Sequence, residues 1–134
     1  MPRVALVVED DPELQRAIGD YLRKLGFAVL GALHYEGAAA YLESARPAFA
    51  CVDLELPTAS GYEVCELIRR SGYADVPILV TSDSDDPEHM AYAERAGANA
   101  FLRKPFSTRE LGRYVRALLE KSKRSEPRLR RLRP

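Results

Sequence analysis

The sequence predicts an α/β fold, a (βα)5 chain whose five short strands form a doubly wound parallel sheet. Two observations carry that prediction. Apolar runs of strand length alternate five times with segments of helical periodicity, which calls for a parallel sheet with helices on both faces. Four of the runs also stop at chemically loaded residues: Val4–Val8 at Glu9-Asp10-Asp11, Phe49–Val52 at Asp53, Pro77–Val80 at Thr81-Ser82, and Ala100–Leu102 just before Lys104-Pro105. Open parallel sheets bind ligands outside the carboxyl ends of their strands, so these endings would gather carboxylates, a hydroxyl and an ammonium into one site.

Each element has its own signal. After the first run, Asp11-Pro12 reads as an N-cap followed by proline at the first helical position. Leu14, Ala17, Ile18, Tyr21 and Leu25 then repeat at helical spacing up to a stop at Gly26. Phe27 to Leu33 is the second strand, and Glu36 to Arg46 a short helix ended by Pro47. The Asp53 strand leads into a loop at Leu56-Pro57-Thr58-Ala59-Ser60-Gly61, and Tyr62, Val64, Cys65, Leu67 and Ile68 carry a third helix to Ser71-Gly72. Asp86-Pro87 repeats the cap-and-proline device before a weaker helix through Met90, Ala93 and Ala96 to Gly97. Ser107-Thr108-Arg109-Glu110 fits a capping box, and Leu111, Val115, Leu118 and Leu119 line one face of the last helix.

With 134 residues the chain suits one domain with a single core. Its formal net charge of zero hides an asymmetry. From Lys121 onward seven basic residues face only Glu126, which leaves a body near −6 and a tail near +6. The division expected is a body over 1–121 and a basic, mobile tail over 122–134, whose Pro and Arg content and few apolar residues disfavour independent folding. A body this acidic is a poor nucleic-acid binder, and the tail has neither a groove-reading motif nor an aromatic platform. Cys51 and Cys65 lack metal-ligand spacing and a disulfide framework, so buried thiols in a reducing compartment are expected. Met1-Pro2-Arg3 runs straight into a strand and no apolar stretch reaches membrane-spanning length, which predicts a cytoplasmic protein without a leader or membrane span.

The acids come first in the chemistry. Glu9, Asp10 and Asp53 project from two strand ends, and hard carboxylate oxygens there suit Mg²⁺, which binds one or two carboxylates plus phosphate and keeps several waters. Asp11, directly before Pro12, is better explained as a helix cap. A phosphoryl oxygen beside Asp53 would need donors, which Ser82 or Thr81 supplies as a hydroxyl and Lys104 as an ammonium aimed by the following Pro105.

Over roughly residues 3–120 the chain resembles the receiver domains of two-component response regulators. The resemblance rests on Val7-Val8-Glu9-Asp10-Asp11, on Asp53 followed by Leu56-Pro57 and Gly61, on Pro77 to Ser82, on Gly97-Ala98, and on Phe101-Leu102-Arg103-Lys104-Pro105-Phe106. It implies a flavodoxin-like strand order 2-1-3-4-5. It also implies that Asp53 is the phosphoacceptor, fed by a sensor histidine kinase or a histidine phosphotransfer protein. Glu9, Asp10, Asp53 and the backbone carbonyl of Glu55 would hold Mg²⁺ or Mn²⁺, Lys104 would pair with the phosphoryl group, and Phe101 would be the aromatic that follows activation. In the family the switch hydroxyl lies five positions after the proline opening its strand and twenty-two before the lysine. Both spacings give Ser82, which leaves Thr81 as a strand residue.

The resemblance also has departures. The residue after the switch is usually Ala, Gly or Ser, because it borders access to the phosphoryl group, and here it is Asp83. With Glu9, Asp10, Asp53 and Glu55 it would place five carboxylates near one Lys104, an excess that only a divalent cation offsets. Phosphorylation should then depend steeply on Mg²⁺ or be slow from small donors, unless Asp83 points to solvent. Regulators with winged-helix outputs dimerise through an acidic pair and an arginine at positions held here by Asn99, Ala100 and Tyr114. The expectation is therefore a monomer or weak phosphorylation-dependent dimer that signals by protein contacts of the fourth helix, fifth strand and fifth helix, with Arg109, Arg113 and Arg116 on that last helix. Beyond self-catalysed phosphoryl transfer it would not be an enzyme. Rival readings are a phosphorylation-independent interaction module, a receiver fragment of a longer regulator, and an aspartyl-phosphate phosphatase, for which no insertion long enough to cap a substrate is present.

Overall fold

The computed structural model describes the backbone of residues 2–132 and the side chains of residues 2–122. Strands β1 (Val4–Val8), β2 (Ala28–Ala32), β3 (Phe49–Asp53), β4 (Ile78–Ser82) and β5 (Ala100–Arg103) alternate with helices α1 (Pro12–Lys24), α2 (Tyr35–Ser44), α3 (Gly61–Arg70), α4 (Pro87–Ala96) and α5 (Thr108–Leu132). All neighbouring strands pair in parallel, in the order β2-β1-β3-β4-β5. This is the doubly wound (βα)5 sheet that the alternation predicts.

Because side chains alternate across a strand, the sheet separates two apolar clusters. Leu6, Val8, Ala50, Val52, Ile78 and Val80 pack with Ala38, Val64, Ile68 and Ala93 of α2, α3 and α4. Ala5, Val7, Phe49, Cys51 and Leu79 pack with Ile18, Leu22, Leu111 and Val115 of α1 and α5. Both cysteines are free and buried. Burial pushes each thiol up to about 12, so neither is a reactive thiolate at neutral pH.

The capping chemistry is mostly where the sequence puts it. Asp11 accepts from the N–H groups of Glu13 (3.0 Å) and Leu14 (3.5 Å), and Asp86 from Glu88 (2.9 Å). Ser107 and Glu110 exchange reciprocal bonds of 3.0 Å in a capping box. Gly97 ends α4 at φ +117°, a left-handed cap that disfavours any side chain. One cap is unforeseen: His34 Nδ1 accepts from Gly37 N–H (3.2 Å) and starts α2 at Tyr35 rather than Glu36.

Helix α5 continues past residue 121 to Leu132. No Gly or Pro interrupts the sequence between Gly112 and Pro127, and its Lys, Arg, Leu and Glu residues favour helix. The remainder of the basic tail, including the side chains from residue 123, lies outside the described residues. Among the described residues no helix is long and apolar enough to cross a membrane.

Inside β4 a hydroxyl is left without a partner. Thr81 Oγ1 is buried and makes no hydrogen bond. A methyl group in its place removes that desolvation cost, so Thr81→Val is expected to stabilise the protein by about 1 kcal/mol, read as a higher midpoint in denaturant unfolding.

Candidate functional site

Strand register builds the site. Val8 pairs with Val52, Asp53 with Thr81, and Ser82 with Arg103, so Glu9, Asp53, Ser82 and Lys104 leave the sheet along one edge. Backbone bonds continue the ladder past the strand ends: Glu9 N–H donates to Ala32 (3.0 Å), Leu54 N–H to Thr81 (2.8 Å), and Lys104 N–H to Ser82 (2.7 Å). Helix α3 starts hard against this edge. A Cβ on Gly61 would run into the carbonyl of Asp53 and the backbone of Leu54, so only glycine permits the approach.

Three carboxylates converge there. Oxygens of Glu9, Asp10 and Asp53 lie within 4.8 Å of one another, with Glu9 and Asp53 both 1% exposed and Asp10 open to solvent. Lys104 Nζ enters between them, 3.0 Å from Glu9 Oε1 and 3.3 Å from Asp53 Oδ1, and the Lys104-Pro105 peptide bond is cis. Asp53 Oδ1 also accepts from Glu55 N–H (3.1 Å), and Glu9 Oε2 from Asp11 N–H (3.1 Å). Burial, the Glu9 charge and the Asp10 carboxyl push the Asp53 carboxyl up to about 8, against the opposing pull of Lys104 and the Glu55 N–H. Burial alone would lower the Lys104 ammonium, but its bonds and charge contacts with Glu9 and Asp53 outweigh this and hold it above the ordinary lysine value.

One ammonium does not satisfy this cluster. Glu9 Oε1 is buried and is held by the Lys104 ammonium at 3.0 Å as an ion pair rather than a regular hydrogen bond. A buried carboxylate oxygen without a regular hydrogen bond, two neighbouring carboxylates and an all-oxygen donor set fit a hard divalent cation.

The other predicted residues divide. Ser82 is fully buried, yet its hydroxyl donates to Glu55 Oε2 (2.6 Å), and Glu55 Oε1 accepts from Asp83 N–H (3.0 Å). The Glu55 carboxylate therefore faces the end of β4 and not the three-acid cluster, and the Asp83 side chain is exposed. The expected crowd of five carboxylates is a cluster of three, because the bidentate grip on Ser82 and Asp83 diverts Glu55. Phe101 is half-buried against the cluster that holds Val80 and Ala93, in a depression of about 390 Å³ shared with Met90, Ala98 and Tyr114. Arg109, Arg113 and Arg116 are exposed on α5, and Arg116 donates to the Tyr21 hydroxyl of α1 (3.0 Å).

The sequence reading missed the structural employment of Asn99. Its Oδ1 accepts from Ile78 N–H (2.7 Å) and from Arg69 Nη2 (3.0 Å), which closes the entry of β4 against the α4–β5 turn. Nothing in the local sequence signals this, since Arg69, Ile78 and Asn99 meet only after the sheet has formed.

The chain is similar to known proteins in sequence and in fold. The transcriptional regulatory protein BaeR of Escherichia coli is 33% identical over 123 residues, 91% of this chain and 50% of its own. The DNA-binding regulator RpaA of Synechocystis is 31% identical over 92% of this chain and 52% of its own. The chain thus spans about half the length of the curated relatives it matches. Among solved structures, a CheY-like receiver domain protein of Methanospirillum hungatei superposes with a TM-score of 0.85 at 22% identity, covering 93% of this chain and 99% of its own. The chemotaxis protein CheY4 of Vibrio cholerae gives 0.82 at 25% identity, covering 88% and 99%. The response regulator receiver domain model matches residues 5–116, which takes in β2 to β5, all of β1 but Val4, and all the acids of the cluster. With that span and this fold, the chain belongs to the receiver domains of two-component response regulators.

Proposed function

We propose that Asp53 is the phosphoacceptor of this receiver, taking a phosphoryl group from a sensor histidine kinase or histidine phosphotransfer protein. The observation that carries the reading is Lys104 Nζ lying between the buried carboxylates of Glu9 and Asp53, with the exposed Asp10 completing the three-acid cluster. In the transfer, an Asp53 oxygen attacks phosphorus, the bond from phosphorus to the donor imidazole breaks, and its electron pair stays with the ring. Glu9, Asp10, Asp53 and the carbonyl of Glu55 would hold Mg²⁺, or Mn²⁺ in its place. The bound ion would offset the cluster's negative charge and that arriving on the phosphoryl oxygens.

Lys104 is positioned to pair with the new anion, and Ser82 to donate its hydroxyl once turned toward it. Withdrawal of Ser82 would leave room behind it for Phe101, repacking the α4–β5–α5 face that partners would read. Asp83, beside Ser82, would border access to the phosphoryl group. Asn99 is committed inward to Ile78 and Arg69, which supports signalling by protein contacts other than an acidic-pair dimer.

The test is incubation with Mg²⁺ and acetyl phosphate. We expect one hydroxylamine-labile phosphoryl group, detected as an 80-Da mass increase (about the mass of HPO₃) that is abolished in Asp53→Asn. An unmodified wild-type protein, with this donor and with phosphorylated histidine kinases, would mark a phosphorylation-independent module.

A further inference from the structure

We propose that the Glu55 carboxylate is a latch that holds Ser82 and the start of the β4–α4 loop in the unphosphorylated arrangement, so that Glu55 sets how readily the site accepts a phosphoryl group. The inference rests on Asp53 as the acceptor, and it assigns Glu55 a positioning role through its side chain, separate from its backbone carbonyl.

Three bonds define the latch. Glu55 Oε2 accepts the Ser82 hydroxyl at 2.6 Å, a short charge-assisted bond, and Glu55 Oε1 accepts the following Asp83 N–H at 3.0 Å. Ser82 Oγ in turn accepts from Ser84 N–H at 3.0 Å. The loop then continues in the same manner, with Ser84 Oγ accepting from Asp86 N–H at 3.1 Å and lying 2.7 Å from His89 Nδ1 on α4. One carboxylate thus anchors a run of contacts from the end of β3 to the first turns of α4.

The donor count makes the latch competitive. A serine hydroxyl has a single proton to donate. While it goes to Glu55 it is unavailable to an anion on Asp53, so Ser82 must leave Glu55 before it joins the phosphoryl group. An anion that engages only the released state binds with an apparent affinity reduced by the fraction of molecules already released. Strengthening or weakening the Glu55 bond therefore tunes acceptance without changing any group that touches the phosphoryl oxygens.

Beryllofluoride with Mg²⁺, titrated calorimetrically into the full chain, reads this directly. Glu55→Ala is expected to bind about tenfold more tightly than wild type, the scale of one charge-assisted bond. Glu55→Gln, whose amide oxygen still accepts but carries no charge, should fall between them. In a Ser82→Ala background the gain from Glu55→Ala should shrink to less than about twofold, because the hydroxyl on which the latch acts is gone. Without any anion, the Asp83 and Ser84 amides should exchange with solvent faster in Glu55→Ala than in wild type. Equal affinities in wild type and Glu55→Ala overturn the latch, as does an undiminished gain in the Ser82→Ala background, which would reduce Glu55 to a repelling charge. Beryllofluoride binding that Asp53→Asn abolishes but Glu55→Ala leaves unchanged removes the latch alone. No binding by wild type removes the phosphoacceptor reading and the latch with it.

Discussion

Asp53→Asn is expected to make the metal-free protein more stable, by on the order of 2 kcal/mol at pH 8, while removing the group proposed to carry phosphate. The sign follows from the Asp53 carboxyl standing at about 8 in the folded protein, far above its unfolded value near 3.9. Between those values the folded chain holds a proton that the unfolded chain has lost, so wild-type stability falls as pH rises from about 4 to about 8. Asparagine does not titrate, and its variant should lose much less over the same interval. A cation reverses the comparison. Mg²⁺ competes with the proton for Asp53, so its stabilisation of wild type should grow with pH and be smaller in the variant. Thermal unfolding from pH 5 to 9, with and without Mg²⁺, checks both statements. A variant less stable than wild type at pH 8 without metal would show that the cluster is already balanced by Lys104.

Arg69→Ala carries the second large effect, a loss of about 3 kcal/mol and a fall in Tm of roughly 10 °C. The guanidinium of Arg69 reaches Gly97 O (2.6 Å), Val76 O (2.7 Å) and Tyr73 O (2.8 Å) as well as Asn99 Oδ1. These acceptors come from the turn after α3, the entry of β4 and the turn before β5. Truncation leaves several of them part-buried without a donor, which costs more than the bonds themselves contribute. Lysine keeps the charge but not the planar fork, so Arg69→Lys should recover less than half of the loss. A denaturant series on the two variants measures both effects, and recovery to wild-type stability by lysine would mean that charge alone matters.

These sites also show which parts of the molecule can be read before folding. Asp11-Pro12, Asp86-Pro87 and the Ser107–Glu110 pair act within four residues, and each forms the cap that its residue types favour. The convergence of Glu9, Asp10, Asp53 and Lys104 on one edge follows from strands that all run the same way. What escaped notice depends on partners distant in sequence. Glu55 meets Ser82 27 residues away and Arg69 meets Asn99 30 residues away, and no periodicity or spacing encodes either pairing. Its place in the chain, two residues after Asp53, sets Glu55 among the acids of the pocket. Its carboxylate goes instead to the better donors, a hydroxyl and a backbone N–H.

The backbone clips beyond the strand ends bear on the speed of any response. Glu9, Leu54 and Lys104 are each tied through N–H to the adjoining strand, and the Ser82 carbonyl is the acceptor for Lys104. The main chain at this edge is a fixed frame, and the Ser82 hydroxyl can change partner by rotation about one side-chain bond while its carbonyl stays in place. Such a rotation belongs to the fast end of protein motion, well ahead of rigid-body shifts of helices. The edge would register an anion before the helices answer, and the delay between the two would be set by repacking around Phe101.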